Sequence, residues 1–161
     1  METLWSPWRA RYIASGVDAK LPRCVFCEIA KDPEKDEQNF VLHRAEHAFI
    51  VLNLYPYITG HMMIIPYLHT AEFASVSKEI TDEVMDLTKR AQAAIHEVYS
   101  PPGFNIGMNL GSAAGAGIAD HIHMHILPRW SGDTNFMTSI GETRVIPESL
   151  ETTYKMLREK F

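Results

Sequence analysis

Three histidines alternate with apolar residues in His121-Ile122-His123-Met124-His125-Ile126-Leu127. Read as a strand, this run sends the imidazoles to one face and Ile122, Met124 and Ile126 to the other. The rings would then stand roughly 6–7 Å apart along the strand, with the apolar set packed against a helix. A polar face built only for solubility uses Thr, Lys or Glu, and three imidazoles side by side repel one another when protonated. Two chemistries remain. Histidines at i and i+2 can hold zinc with a third ligand, or one imidazole can act as a nucleophile that its neighbours orient. A second reactive pair, Cys24 and Cys27, has the two-residue spacing shared by zinc sites and redox motifs, and alone it does not choose between them.

Other elements must position these residues. Apolar runs of strand length occupy Phe40–His43, Ala48–Asn53 and His61–Pro66, and Pro56-Tyr57-Ile58-Thr59-Gly60 suits the turn between the last two. Over 76–99, Val76, Ile80, Val84, Leu87, Ala91, Ile95 and Val98 recur at three- and four-residue steps, which predicts one long amphipathic helix. Ser77 is its expected N-cap, and Pro101-Pro102-Gly103 ends it. Phe104–Leu110 reads as a strand leading into the small-residue loop Gly111–Gly117. His121–Leu127 reads as another strand, closed by Pro128. A last helix is expected over 147–161, with Leu150, Tyr154, Leu157 and Phe161 on one side. Residues 1–23 read as an arm, the Cys24–Cys27 segment as irregular, and 31–39 as a charged surface loop. The fold class expected is α+β: a mostly antiparallel sheet of about five strands, one long helix and a C-terminal helix in a single domain over 1–161.

The order of strand, Gly/Ala-rich loop, His-φ-His-φ-His-φ-φ and Pro128-Arg129 resembles the histidine-triad (HIT) family of nucleotide hydrolases and transferases. Gly60-His61 followed by Met62-Met63-Ile64-Ile65-Pro66 is similar to that family's Gly-His strand. The resemblance runs from Cys24 to about Phe136. It implies a HIT-like fold and makes His123 the nucleophile that attacks the α-phosphate of an adenine nucleotide conjugate, giving a covalent nucleotidyl-histidine. His61 and His125 take the positions of the phosphate-contacting histidines, Asn53 that of a ribose contact and Asn109 that of an amide near the phosphates. Backbone N–H groups of the loop, at Gly115 and Gly117 among others, are expected to face the phosphate. The resemblance also implies a structural zinc held by Cys24, Cys27, His69 and His121, no organic cofactor, and a homodimer.

Where many HIT proteins carry Gln in a Gly-Gln-Ser/Thr-Val stretch, Gly117 stands here. Together with Leu4-Trp5-Ser6-Pro7-Trp8-Arg9 at the start and the 125–136 pattern, this is more similar to the bacterial branch associated with diadenosine tetraphosphate phosphorylases. The expected reaction is cleavage of dinucleoside polyphosphates, resolved by water or phosphate. The alternatives are a purine nucleoside phosphoramidase and a non-enzymatic nucleotide-binding protein. Trp130 is expected at the rim of the site or in plain packing. The chain of 161 residues has 46% hydrophobic and 22% charged residues and a net charge of −5. It therefore has no global basic field for duplex nucleic acid. No apolar run has signal-peptide or membrane-spanning length, so the expected location is the cytoplasm.

Overall fold

The computed structural model describes residues 24–134, 138, 140 and 145–161. The expected arm over 1–23, with Trp5 and Trp8, lies outside them. Five strands form one antiparallel sheet in the order β1-β2-β3-β5-β4. They are β1 (Val41–Arg44), β2 (Ala48–Leu52), β3 (Met62–Pro66), β4 (Gly103–Met108) and β5 (Met124–Arg129). Among the described residues three α-helices accompany them: α1 (Val25–Lys31), α2 (Lys78–Tyr99) and α3 (Leu150–Arg158). The α+β class and five-strand sheet are those expected. No described helix is long and apolar enough to cross a membrane.

The two-residue alternation of the strands divides the core into two layers. Ile50, Leu52, Ile64 and Ile126 meet Leu87, Ala91 and Ile95 of α2 and Tyr154 and Leu157 of α3 on one face. On the other face Phe49, Val51, Met63 and Ile65 meet Phe26 and Ile29 of α1. Ile95 is fully buried, and truncating such a side chain to Ala costs about 2–5 kcal/mol. The α2 helix starts after Ser77, as expected, although the Ser77 hydroxyl caps nothing. It stops where Ser100 turns left-handed (φ 45) and its N–H closes on His96.

Three expectations need correction. The C-terminal helix begins at Leu150 rather than 147, because Ser149 is its N-cap and accepts a hydrogen bond from the Thr152 N–H. The Cys24–Cys27 segment is not irregular: Cys24 is the N-cap position of α1 and Cys27 lies in its first turn. The histidine strand is shifted, with β5 covering Met124–Arg129 rather than His121–Leu127. His121 and His123 precede the ladder because Ile122 gives its N–H to Thr70 O instead of to a strand. At the other end Pro128 pairs with Phe104 and stays within β5. The β3 pairing has ended at Ile126, so β5 is an edge on that side and tolerates a proline.

Candidate active site and metal centre

His125 stands on the face of β5 opposite Ile126, so it projects toward the α1 side of the sheet. His61 enters from the residue before β3, after a left-handed Gly60 (φ 78). A Cβ on Gly60 would meet the Pro128 ring at 3.4 Å and Tyr99 at 3.5 Å, ordinary contact distances, so it is the left-handed conformation that calls for glycine in this turn. The result is a row of buried imidazoles. His123 and His125 have ring centroids 4.7 Å apart, and His61 and His125 5.1 Å apart. Relative exposures are 1% for His61, 5% for His123 and 8% for His125.

Hydrogen bonds assign the tautomers along this row. The Tyr57 backbone N–H donates to His61 Nδ1 at 3.2 Å, so that nitrogen must be the acceptor. His61 Nε2–H then donates to His125 Nδ1 at 2.9 Å. His125 is left with its Nε2–H as a donor. Independently, His123 Nδ1–H donates to the His121 carbonyl at 2.8 Å, which leaves the lone pair on Nε2. One imidazole therefore presents a nucleophilic nitrogen and its neighbour presents an N–H donor. Burial, reinforced by the neighbouring histidines, pulls His61 down to about 3. Burial and the proximity of His123 bring His125 to about 4. His123 is also lowered by burial, against the pull of its carbonyl partner. All three are neutral at pH 7, as this assignment requires.

A second cluster adjoins the row. Donor atoms of Cys24, Cys27, His69 and His121 lie within 4.8 Å of one another. A tetrahedral cation with sulfur at about 2.3 Å and nitrogen at about 2.0–2.1 Å needs ligand spacings of roughly 3.3–3.8 Å. Cys24 Sγ and Cys27 Sγ are 3.4 Å and 3.7 Å from His121 Nδ1. His69 Nδ1 is 3.4 Å from Cys27 Sγ and 3.2 Å from His121 Nδ1. His121 Nε2–H donates to the Pro66 carbonyl at 2.8 Å, which turns the Nδ1 lone pair toward the cluster. The four residues fit a closed Cys₂His₂ site. His121 thus faces the sulfurs with its ring and holds His123 with its carbonyl. Phe26, bracketed by the cysteines on α1, sets its ring edge-on to both, with centroids 5.5 Å from His121 and 5.0 Å from His123.

A family model for the HIT domain matches residues 34–132, well over half of the chain. The chain belongs to the HIT family. It is 39% identical over 163 residues to a Mycobacterium tuberculosis (strain ATCC 25618 / H37Rv) protein named AP-4-A phosphorylase, covering 98% of this chain and 83% of that one. Among solved HIT structures, a Zn-bound histidine triad family protein from Mycobacterium smegmatis superposes with a TM-score of 0.69 at 28% identity, covering 86% of this chain and 93% of the other. A hypothetical histidine triad nucleotide-binding protein from Sulfolobus tokodaii strain7 gives 0.67 at 25% identity, covering 85% and 91%.

The remaining residues expected at the site are placed unevenly. Asn53 directly follows β2 beside His61, with its amide nitrogen 3.4 Å from His61 Nδ1 and its oxygen accepting from the Tyr55 N–H. Asn109 directly follows β4, whose last pair, Met108↔Met124, lies one residue from His123. Loop 111–117 differs from expectation. The N–H groups of Ala114, Gly115 and Ala116 are bonded within the loop, to Gly111 and Ser112 carbonyls. Gly115 (φ 87) therefore contributes a left-handed turn rather than a donor. Ile118 packs against the Phe26 cluster and ties the loop to the histidine face. Two residues beside the histidine row carry no chemical mark in the sequence: Tyr57, in the expected turn, whose N–H bonds His61, and Phe26, between the cysteines, whose ring meets His123. A backbone donor leaves no side-chain signal, whereas an aromatic centred in a C-x-x-C can be noticed.

Proposed function

We propose that this protein is a nucleotidyl-transferring enzyme that cleaves dinucleoside polyphosphates such as diadenosine tetraphosphate at an α-phosphate. The observation that carries the reading is the His123 Nδ1–H bond to the His121 carbonyl, which leaves Nε2 as the free lone pair beside His125. The similarity to the M. tuberculosis protein supports this substrate class. In the first step Nε2 of His123 attacks the α-phosphorus. The bond to the bridging oxygen breaks, and its electron pair leaves with the nucleoside polyphosphate. The imidazole now carries the nucleotidyl group and a positive charge, stabilised by the Nδ1–H bond to the carbonyl. His125 Nε2–H donates to a phosphate oxygen, held in that tautomer by His61 and the Tyr57 N–H. Asn109 binds near the phosphates and Asn53 near the ribose, while Gly115 and Gly117 let the chain approach closely. In the second step an oxygen of water or phosphate displaces His123.

Cys24, Cys27, His69 and His121 would hold a structural zinc, which supplies no open coordination position and fixes the segment leading into His123. The exposed apolar residues Ile106 and Leu110, on and just after edge strand β4, and Met85 on α2 support a homodimer. Incubation with diadenosine tetraphosphate, with and without phosphate, tests the reading. Phosphorolysis yields ADP and ATP, hydrolysis yields AMP and ATP, and no cleavage in either condition refutes it.

A further inference from the structure

A cavity of about 500 Å³ opens at the end of the sheet just beyond the histidine row, within the roughly 300–1,000 Å³ range of small-molecule sites. Tyr57 belongs to both places. Its ring centroid lies 4.7 Å from that of His61 and 6.2 Å from that of His125, and it also walls the cavity. Leu127 and Arg129 follow His125 on the same face of β5, roughly 7 Å and 13 Å farther along the strand. Asn105 pairs with Leu127 from β4 and lines the cavity too. A molecule anchored at His123 and longer than one nucleotide has this space directly in its path.

The walls describe what fits. Thr59 lines the cavity and is 8% exposed, and its hydroxyl is a buried side-chain oxygen with no hydrogen-bond partner. A buried hydroxyl with no protein partner calls for a physical account, and beside a cavity the polar group of a ligand supplies one. Charge argues against a phosphate inside. Arg129 is already bound twice by Asp133, Nε to Oδ2 at 2.5 Å and Nη2 to Oδ1 at 2.8 Å. Glu148, which accepts from Tyr99 Oη at 2.5 Å, adds a further carboxylate. Tyr57, Tyr99 and Trp130 supply aromatic surface around these groups. A neutral, planar, hydrogen-bonding heterocycle suits such walls, and a chain of phosphates does not.

We infer that this cavity receives the second nucleoside of a dinucleoside polyphosphate, the half that departs with the leaving group. The inference rests on the substrate class proposed above. The Thr59 hydroxyl and the Asn105 amide nitrogen hydrogen-bond the nucleoside, the Asn105 oxygen being held by Arg129 Nη1; the aromatic rings flank its base, and the phosphates stay at the mouth beside His61 and His125. Because stacking tolerates any base, the identity of the second base matters less than its presence.

Calorimetry on the non-reacting His123→Asn variant separates binding from turnover. Diadenosine tetraphosphate should bind at least about tenfold tighter than adenosine 5′-tetraphosphate, which has the same phosphates and no second nucleoside. Adding Thr59→Val, which removes the orphaned hydroxyl without changing shape, should narrow that gap without lowering Tm. Adding Leu127→Trp, which fills the cavity, should narrow it as well. Equal affinities in the His123→Asn protein, or a gap that survives both substitutions, would overturn the subsite while leaving the proposed function standing. Failure to bind either ligand would remove both.

Discussion

Acidification should destabilise this protein through its histidine row, and the size of the effect follows from where the rings sit. His61 titrates near 3 and His125 near 4 in the folded chain, against about 6.5 in an unfolded one. Between those values the unfolded state binds more protons, so stability falls as pH falls. The full stabilisation is present above about 6.5, and it is lost progressively as pH drops toward 4 and then 3. At pH 5 each ring has cost about 1.5 units × 1.36 kcal/mol, or roughly 2 kcal/mol. The pair together costs about 4 kcal/mol, a large part of a typical domain stability of about 5–15 kcal/mol. Neither ring is exposed enough for solvent to screen this. Urea unfolding at pH 7 and pH 5 measures it, with a His61→Asn/His125→Asn double variant as reference. Any acid loss from the cysteine–histidine cluster is common to both proteins and cancels in the difference. The drop in the double variant should be smaller by about 4 kcal/mol, and equal drops would refute the burial argument.

Protein purified without chelators should contain about one zinc per chain, and chelation should lower Tm, since a structural metal contributes its binding energy to folding. Elemental analysis finding no zinc would remove that site. Gly117 offers no side chain to hydrogen-bond near the bridging atom and assist a departing amine, which must be protonated as it leaves, whereas a polyphosphate is a good leaving group without that help. Diadenosine tetraphosphate should therefore be preferred over adenosine phosphoramidates by at least ~10-fold in kcat/KM, equivalent to ~1.4 kcal/mol. Equal or reversed efficiencies under matched conditions would show that this glycine does not set the substrate class.

The parts of the fold that follow from local pattern were legible in the chain. Strands β2 and β3 are uninterrupted apolar runs, and α2 carries six apolar positions in register, from Ile80 to Val98. The seven-residue α1 was hidden because Phe26 and Ile29 are too few to reveal a period. The β5 start was misplaced because alternation continues through His121 and His123, while long-range bonds, Ile122 to Thr70 and His121 to Pro66, take those residues out of the ladder. Residue types marked the histidines as chemical, but their proton assignment depends on pairings such as His61 with His125, 64 residues apart. Backbone groups complete it, namely the Tyr57 N–H and the His121 carbonyl. The Thr59 hydroxyl was invisible for a related reason: lacking a partner is a property of the packed structure, not of a sequence.

The central claim is that His123 Nε2 carries the nucleotidyl group, and trapping that adduct tests it most directly. Rapid quenching of enzyme mixed with excess diadenosine tetraphosphate, without phosphate and under conditions that preserve phosphoramidates, should leave one adenylyl group per chain by intact-protein mass spectrometry. Peptide mapping should locate it on His123, and His123→Asn should carry none and keep less than a few per cent of the wild-type rate. An adenylyl group on another residue, or a His123→Asn protein that turns over substrate at a rate near wild type, would contradict the account.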